Sequence, residues 1–184
     1  MLKLIPASWE YATKEELLSL YQKILSEKPR NVINLKTEPS CSRSSIRLQL
    51  SPIGTLVRPQ SLPELKAAIR GILHGLEWLH GNGFVHRDLR WNNVIIDSTG
   101  CVRIIDFEHS GKEGHVDFVL PIWPLLKNSR YTKEIDLQLV GKMIMESNLY
   151  PGESEYGAVD FVVKLNSGAT ATDALQHSWL KCQD

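Results

Sequence analysis

The chain has 184 residues and carries 21 basic against 21 acidic side chains, so its formal net charge is zero at pH 7. A balanced charge gives no electrostatic footprint for DNA or RNA and no polybasic anchor for an acidic membrane surface. The apolar start is too short for a signal peptide, and three widely spaced cysteines suit a reducing compartment. These totals predict a protein of the cytoplasm or nucleus that has neither a nucleic-acid partner nor a membrane partner.

The first quarter of the sequence predicts a small mixed unit of strands and one helix. Residues 1–5 form a short apolar run typical of a strand, and Thr13 with Glu16 makes a capping box for the helix that follows. Pro29 ends that helix, because proline cannot continue a helical backbone. The stretches "NVINL" and "SIRLQL" predict two strands, and residues 51–59 predict a connector rich in turn residues.

A second capping box, Ser61 with Glu64, opens the longest helix that the pattern predicts. Its apolar positions alternate in steps of three and four, which is typical of a helix buried along one face. They are Leu62, Leu65, Ile69, Ile72, Leu76 and Leu79. The stretch "GNG" at residues 81–83 ends this helix.

Two β-branched runs, "NVIID" and "CVRIID", predict a hairpin because the turn residues "STG" join them. Residues 107–130 have little periodicity and predict a long loop. Helical spacing returns in "YTKEIDLQLVGKMIMES", in "VDFVVKL" and in "TATDALQHSWL", the last capped by Thr170. A small mixed start, a core helix, a hairpin and final helices together predict an α+β fold.

The predicted hairpin brings three oxygen-bearing side chains near one another. Asp88 and Asn93 precede its first strand, and Asp106 follows its second. Each strand of about five residues covers roughly 17 Å, so the return strand places Asp106 beside Asn93. Carboxylate and amide oxygens are the ligands that Mg²⁺ uses when phosphates complete its shell. The sequence therefore predicts a magnesium site at Asn93 and Asp106.

Two motifs in this region resemble a known family. "HRDLRWNN" resembles the catalytic loop of eukaryotic protein kinases, and "IDFE" resembles their metal-binding D-F-G segment. The resemblance implies that Asp88 orients the substrate hydroxyl and accepts its proton, and that Asn93 and Asp106 hold Mg²⁺. It also implies that Arg90 contacts the γ-phosphate of ATP.

The resemblance continues outside the loop. "GLEWLH" resembles the end of the helix that leads into kinase catalytic loops, and "DLQLVG" resembles the buried helix whose aspartate, here Asp136, braces that loop. It implies that His86 and Phe107 pack together between two lobes. The match implies a kinase-like C-lobe in residues 59–184 and a truncated N-lobe in residues 1–58. The wording of "HRDLRWNN" is most similar to kinase-like domains of fungi and of crinkler-type effectors.

The N-terminal part departs from the family pattern. No G-x-G-x-x-G occurs, and the first glycine is Gly54, so two strands of the ATP lid have no sequence to form them. The resemblance implies that Lys3 in "MLKLI" is the phosphate-binding lysine, with Glu16 or its neighbour Glu15 as the partner on the helix. Lys36 in "NVINLK" is the alternative lysine.

The stretch "LQLSPIGTL" resembles the hinge strand that joins the two lobes of a kinase. The resemblance implies a hinge near residues 50–56. It implies that adenine meets the backbone around Leu50, Ser51 and Ile53.

Glu108 stands where the family has the glycine of D-F-G. Its carboxylate either adds a metal ligand or faces water, and we expect it to face water. The wording "IDFE" is also similar to choline-kinase-like and aminoglycoside-kinase-like enzymes.

Three functions remain open from the sequence. The first is a minimal protein kinase that uses ATP and Mg²⁺ to phosphorylate serine or threonine hydroxyls, with slow turnover because the lid is missing. The second is a pseudokinase or truncated kinase that docks a protein or a second copy of itself through an incomplete sheet. The third is a small-molecule kinase.

Overall fold

The computed structural model describes residues 1–6, 14–42, 45–114, 130–151 and 156–181. In chain order its strands and helices are β1 (Leu2–Pro6), α1 (Lys14–Glu27), β2 (Asn34–Leu35), β3 (Ser40–Cys41), β4 (Ser45–Ser51), β5 (Gly54–Leu56), α2 (Leu62–Gly81), β6 (Phe84–Val85), β7 (Val94–Asp97), β8 (Val102–Ile104), β9 (Gly111–Lys112), α3 (Lys133–Met145), α4 (Tyr156–Asn166) and α5 (Ala171–Leu175). Short 3₁₀ turns occupy Trp91–Asn93, Phe107–His109 and Ser178–Leu180. The predicted α+β class is confirmed.

The first sheet is built around β4, whose alternate residues Ile46 and Leu48 are buried. β1 pairs antiparallel along one edge of β4, with Leu4 opposite Arg47. β2 and β3 pair with the opposite edge of β4. Among the described strands β1 therefore ends the sheet, and its side chains Leu2 and Leu4 are 67 % and 55 % exposed.

Helix α1 packs beside this sheet with one buried face. Its buried residues are Leu17, Leu20, Tyr21 and Ile24. The helix ends at Glu27, shortly before Pro29, as the sequence predicts. Thr13, the first member of the predicted capping box, lies outside the described residues.

The strand predicted in "NVINL" is shorter than expected, because its first residues bond to the later hairpin. The Ile33 N–H donates to the Ile104 carbonyl at 3.0 Å, and the Ile104 N–H donates to the Asn31 carbonyl at 3.0 Å. Val32 is fully buried and bridges to Ile104 in the parallel sense. This segment joins the N-terminal part of the chain to β8.

The predicted capping box of the longest helix forms only in part, because the Glu64 side chain bonds the residue before Ser61. The Ser61 hydroxyl accepts from the Glu64 N–H at 3.4 Å, whereas the Glu64 carboxylate accepts from the Gln60 N–H at 2.8 Å. Both bonds satisfy backbone donors at the start of α2.

Two glycines on α2 permit a close approach of other segments. A Cβ at Gly71 would lie 2.6 Å from the Cβ of Val102, and one at Gly75 would lie 2.7 Å from the Asn31 carbonyl oxygen. Because no real Cβ contact is that short, only glycine lets β8 and the Asn31 segment rest directly on the helix.

The predicted hairpin forms, with Val94 of β7 opposite Ile104 of β8. The connector predicted at residues 51–59 proves to contain a strand, because β5 pairs with the other edge of β7 and sets Gly54 opposite Asp97. The chain thus enters the second sheet immediately after β4.

The stretch predicted as a long loop, residues 107–130, is partly ordered where it is described. It begins with a 3₁₀ turn, and β9 then pairs with β6, setting Val85 opposite Gly111. A Cβ at Gly111 would lie 2.8 Å from the guanidinium of Arg87, so glycine makes room for this buried side chain.

Helices close the C-terminal part as predicted. α5 carries a full capping box, in which Thr170 and Asp173 each bond the backbone of the other. Arg70 of α2 donates to the Leu180 carbonyl and anchors the end of the described chain. None of the helices in the described part of the chain has the length and apolar character of a membrane-spanning segment.

Candidate active site

The fully buried carboxylate of Asp136, on α3, fixes the backbone of the "HRD" loop. It accepts from the His86 N–H at 2.8 Å and from the Arg87 N–H at 3.0 Å. His80 donates from Nε2 at 2.8 Å, and the Tyr131 hydroxyl donates at 2.8 Å. The bracing role implied for Asp136 is therefore confirmed.

The ionised state of Asp136 suits these four donors. Burial by itself raises the pKa of this carboxyl, but the hydrogen bond from His80 and the neighbouring imidazoles outweigh burial and hold the pKa below its usual value. Burial and the charge of Asp136 raise the pKa of the Tyr131 hydroxyl well above its usual value, so Tyr131 stays a donor.

Asp88, assigned to the substrate hydroxyl, is held by two neighbours and is only 3 % exposed. Asn93 donates from Nδ2 to Asp88 Oδ2 at 2.8 Å and to the Asp88 carbonyl at 2.7 Å. The guanidinium of Arg90 lies 3.0 Å from the same Oδ2. The Arg90 side chain is 53 % exposed, so it reaches from this carboxylate into solvent. The structure thus brings together three residues singled out from the sequence.

Three rings link the HRD loop to α1. The His86 and Phe107 centroids lie 5.1 Å apart, which confirms the contact implied by the sequence, and Tyr21 meets Phe107 edge-on at 6.4 Å. The Asp88 N–H donates to His86 Nδ1 at 3.3 Å, so His86 carries its proton on Nε2 and donates to the Ile105 carbonyl at 2.9 Å.

Asp106 lies two residues after the end of β8 in a left-handed conformation, with φ 67° and ψ 68°, which is uncommon for a residue with a side chain. Lys3 Nζ donates to its Oδ1 at 2.7 Å. Burial raises the pKa of Asp106, but the hydrogen bond and charge of Lys3 outweigh it and lower the pKa. Of the two lysines singled out from the sequence, Lys3 is the one placed at Asp106, whereas Lys36 is exposed beyond β2.

The expectation that Glu108 faces water is wrong. Its Oε1 lies 3.0 Å from Lys3 Nζ, and the Glu108 side chain is only 32 % exposed. A 3₁₀ turn starts after Asp106, and it places the Glu108 side chain on the same side as Asp106, next to Lys3. Glu16 lies half-buried in the first turn of α1, and its role as the lysine's partner stays a prediction.

A family model described as "Protein kinase domain" matches residues 10–150 of the chain. The chain belongs to the protein kinase family. Similar curated proteins include cyclin-dependent kinase F-3 of Oryza sativa subsp. japonica, 37 % identical over 105 residues, and cyclin-dependent kinase 10 of Bos taurus, 32 % identical over 121 residues. The two matches cover 50 % and 58 % of this chain but 24 % and 34 % of the relatives. The chain thus spans about a quarter to a third of their length.

The residues assigned to adenine differ in whether their backbone groups are free to bond a ligand. The main-chain N–H and carbonyl of Leu50 are both bonded to Met1, at 2.8 and 3.0 Å. Leu50 is buried, Ser51 is half-buried and Ile53 is 73 % exposed. The backbone of Leu50 is therefore already paired with Met1, and Ser51 lies opposite Asn34 of β2, so the adenine contacts expected at Leu50, Ser51 and Ile53 stay a prediction.

The oxygen ligands fit the cation that a protein kinase uses with ATP. Asn93 uses its Nδ2 on Asp88, which leaves its amide oxygen for a cation, and Asp106 supplies a carboxylate with a lowered pKa. The described residues contain no group of three or more His, Cys, Asp or Glu side chains that could hold a metal. Few protein oxygens, completed by phosphates and water, match the preference of Mg²⁺.

Sequence reasoning missed two aromatic residues beside the charged cluster. Burial, then the negative charges of Asp106 and Glu108, raise the pKa of Tyr21 well above its usual value. Burial lowers the pKa of His109, although the nearby carboxylates oppose this shift. Tyr21 looks like one more member of the apolar face of α1, and His109 follows a motif that ends before it, so neither stood out in the sequence.

A separate cavity of about 600 Å³ lies between α2, β5 and the β7–β8 hairpin. Its lining includes Arg58, Gly71, His74 and Ile96 and shares no residue with the Lys3, Asp88 and Asp106 region. This cavity is therefore separate from the candidate active site.

Proposed function

We propose that this chain transfers the γ-phosphoryl group of Mg-ATP to serine or threonine hydroxyls of proteins. The observation that carries the proposal is the Asp88 carboxylate, held by Asn93 and Arg90, in the same structure as a lysine bonded to Asp106. Membership of the protein kinase family supports it.

Asp88 acts on the acceptor in this scheme. Its Oδ2 is engaged by Asn93 and Arg90, so we assign Oδ1 to the incoming hydroxyl. Oδ1 accepts the hydroxyl hydrogen bond, aims the oxygen and takes its proton as the new bond to phosphorus forms and the bond from the γ-phosphorus to the departing ADP breaks. The near-complete burial of Asp88 fixes the direction of that hydrogen bond.

The remaining charged side chains act on the phosphates. Bound Mg-ATP supplies the phosphoryl group and the cation that neutralises its charge. Asn93 and Asp106 offer oxygens to that cation, Lys3 offers a positive charge to the phosphates, and Arg90 extends its exposed guanidinium towards the transferred group. Preorganised charges of this kind stabilise the transition state without moving during the reaction.

We propose that the chain works slowly by itself. No described strand lies beyond β1 to cover the phosphates, and a site open to water weakens electrostatic stabilisation. The relatives' names describe kinases that depend on a cyclin, and we propose that this chain too works with a protein partner.

Calorimetric titration of Mg-ATP into the wild type and the Asp106→Ala variant tests the proposal. We expect binding in the micromolar range that needs Mg²⁺ and is lost in the variant. A peptide library and small alcohols, assayed as acceptors for ³²P transfer, then separate a protein kinase from a small-molecule kinase. Lack of binding by the wild type up to millimolar Mg-ATP would sink the enzyme proposal.

A second candidate is a docking module, favoured by the outer edge of β1, with which no described strand pairs. Met1, Leu2 and Leu4 are 56 %, 67 % and 55 % exposed, and an apolar sheet edge is a template for another strand. We propose a second copy of the chain as its occupant. Light scattering of the wild type and of a Leu2→Lys, Leu4→Lys double variant tests self-pairing, which only the wild type should show. A wild type that stays monomeric at high concentration excludes the homodimer.

A further inference from the structure

Glu108 and Asp106 hold the same lysine from one short turn. Lys3 Nζ lies 2.7 Å from Asp106 Oδ1 and 3.0 Å from Glu108 Oε1. The three side chains are 19 %, 34 % and 32 % exposed, in the order Lys3, Asp106 and Glu108. Partial burial makes such pairs stronger than fully exposed ones and less sensitive to salt.

The two acids have different roles once a nucleotide is bound. Asp106 is the carboxylate assigned to the cation, and its negative charge is then shared between that cation and Lys3. Glu108 has no such assignment, so it stays available to Lys3. Lysine has a flexible four-carbon stem, and an ammonium group without an acid nearby moves freely into water.

The buried face of α1 packs against the turn that carries Glu108 through an aromatic contact. Its buried residues are Leu17, Leu20, Tyr21 and Ile24. Tyr21 contacts Phe107, the residue between the two acids, so α1 supports the turn that carries Glu108. Both acids observed on Lys3 lie at this turn, Asp106 immediately before it and Glu108 within it.

We propose that Glu108 is the positioning residue for Lys3, holding its ammonium group at the phosphate site while Asp106 serves the cation. The inference rests on the proposed kinase function. It gives a role to the residue that replaces the glycine of the family motif.

A double-mutant cycle in nucleotide-free protein tests the pairing. We expect Glu108→Gln to lower the unfolding temperature by about 1–3 °C in the wild-type background. In a Lys3→Met background the same change should have an effect below about 1 °C, because the partner is absent. Equal shifts in both backgrounds contradict the pairing. Glu113→Gln is the matched control, since Glu113 is 34 % exposed and pairs with Lys133 instead.

Nucleotide titrations test the positioning role separately from folding. We expect Glu108→Gln to raise the Kd of Mg-ATP about 2- to 5-fold, which corresponds to the energy of a partly exposed ion pair. Affinity for adenosine should stay unchanged, because it has no phosphates to meet Lys3. Glu108→Asp keeps the charge on a shorter arm and should lie between the wild type and Glu108→Gln.

The outcomes separate this inference from the proposed function. If the wild type binds Mg-ATP and Glu108→Gln binds it equally well, Glu108 does not position Lys3 and the kinase proposal stands. A loss of adenosine and ATP affinity by the same factor shows a general structural role and overturns the inference. A wild type that binds no Mg-ATP overturns both.

Discussion

The HRD loop, residues 86–88, and the region around Lys3 are held in place by different interactions. Asp136 is fully buried and accepts four hydrogen bonds, two of them from the loop backbone. Lys3 sits on an edge strand and is held by two acids that are each about one-third exposed. The loop is therefore set before any ligand arrives, whereas the lysine depends on charges that a ligand can rearrange.

Removing the buried carboxylate of Asp136 is the strongest test of this difference between the two regions. Asp136→Ala should lower the free energy of unfolding by about 3–5 kcal/mol, because His80, Tyr131 and two amides lose their acceptor. Urea unfolding followed by circular dichroism measures the change. Asp160→Ala is the control, since that carboxylate pairs with His177 but is 57 % exposed, and its effect should stay below about 1 kcal/mol. Similar losses in the two variants would remove the contrast.

Removing the charge of Asp88 should lower the rate of phosphoryl transfer without destabilising the loop that carries it. Asp88→Asn is expected to lower kcat for phosphoryl transfer about 10²- to 10⁴-fold, because an amide cannot take the hydroxyl proton. Its thermal unfolding temperature and its Kd for Mg-ATP should stay near the wild-type values. Asn92→Ala, at an exposed neighbour bonded to Arg58, is the matched control with nearly unchanged kcat. Undiminished kcat in Asp88→Asn would show that Asp88 is not the base.

Low pH should destabilise the protein more through Asp136, which braces the loop, than through Asp106 in the lysine region. The folded-state pKa values of Asp136 and Asp106 are both lowered, so their ionised forms stabilise the fold above the unfolded value of about 4. That contribution is lost as the pH falls through the lower folded-state values. We expect the unfolding temperature to be nearly flat from pH 7 to pH 5 and to fall steeply below about pH 4. The fall should be shallower in Asp136→Asn, and an unchanged slope would contradict this assignment.

Salt should give the smallest effect and should act on the lysine region. Lys3→Met is expected to lower the unfolding temperature by about 1–3 °C at low ionic strength. The difference from wild type should shrink in 1 M NaCl, where the screening length is about 3 Å. The deficit of Asp136→Ala should persist in the same salt, because buried groups are screened much less. Equal salt sensitivity of the two variants would show that the regions are alike.

The sequence predicts well what depends on neighbouring residues. The caps at Ser61 and Thr170, the β7–β8 hairpin and the contact between His86 and Phe107 follow from local spacing and from a family motif. Asp136 was identified as the brace because its motif has a fixed place in the kinase family.

Features that depend on distant segments were not predictable in this way. β2 is shortened because Ile33 bonds to Ile104, which lies 71 residues further along the chain. Glu108 was expected in water because nothing in "IDFEH" shows that Lys3, more than a hundred residues earlier, lies opposite it. Tertiary pairing decides both, and one-dimensional patterns carry little information about it.

The bonds between Asn31, Ile33 and Ile104 also bear on how the protein is made. During synthesis residues 31–33 leave the ribosome long before their partner is translated, at about 5–20 residues per second. Val32 and Ile33 are both buried in the folded protein, and they stay exposed to solvent until Ile104 has been translated. Nascent chains stalled before Ile104 should therefore recruit chaperones and be cut readily by proteases, and chains stalled well after it should not.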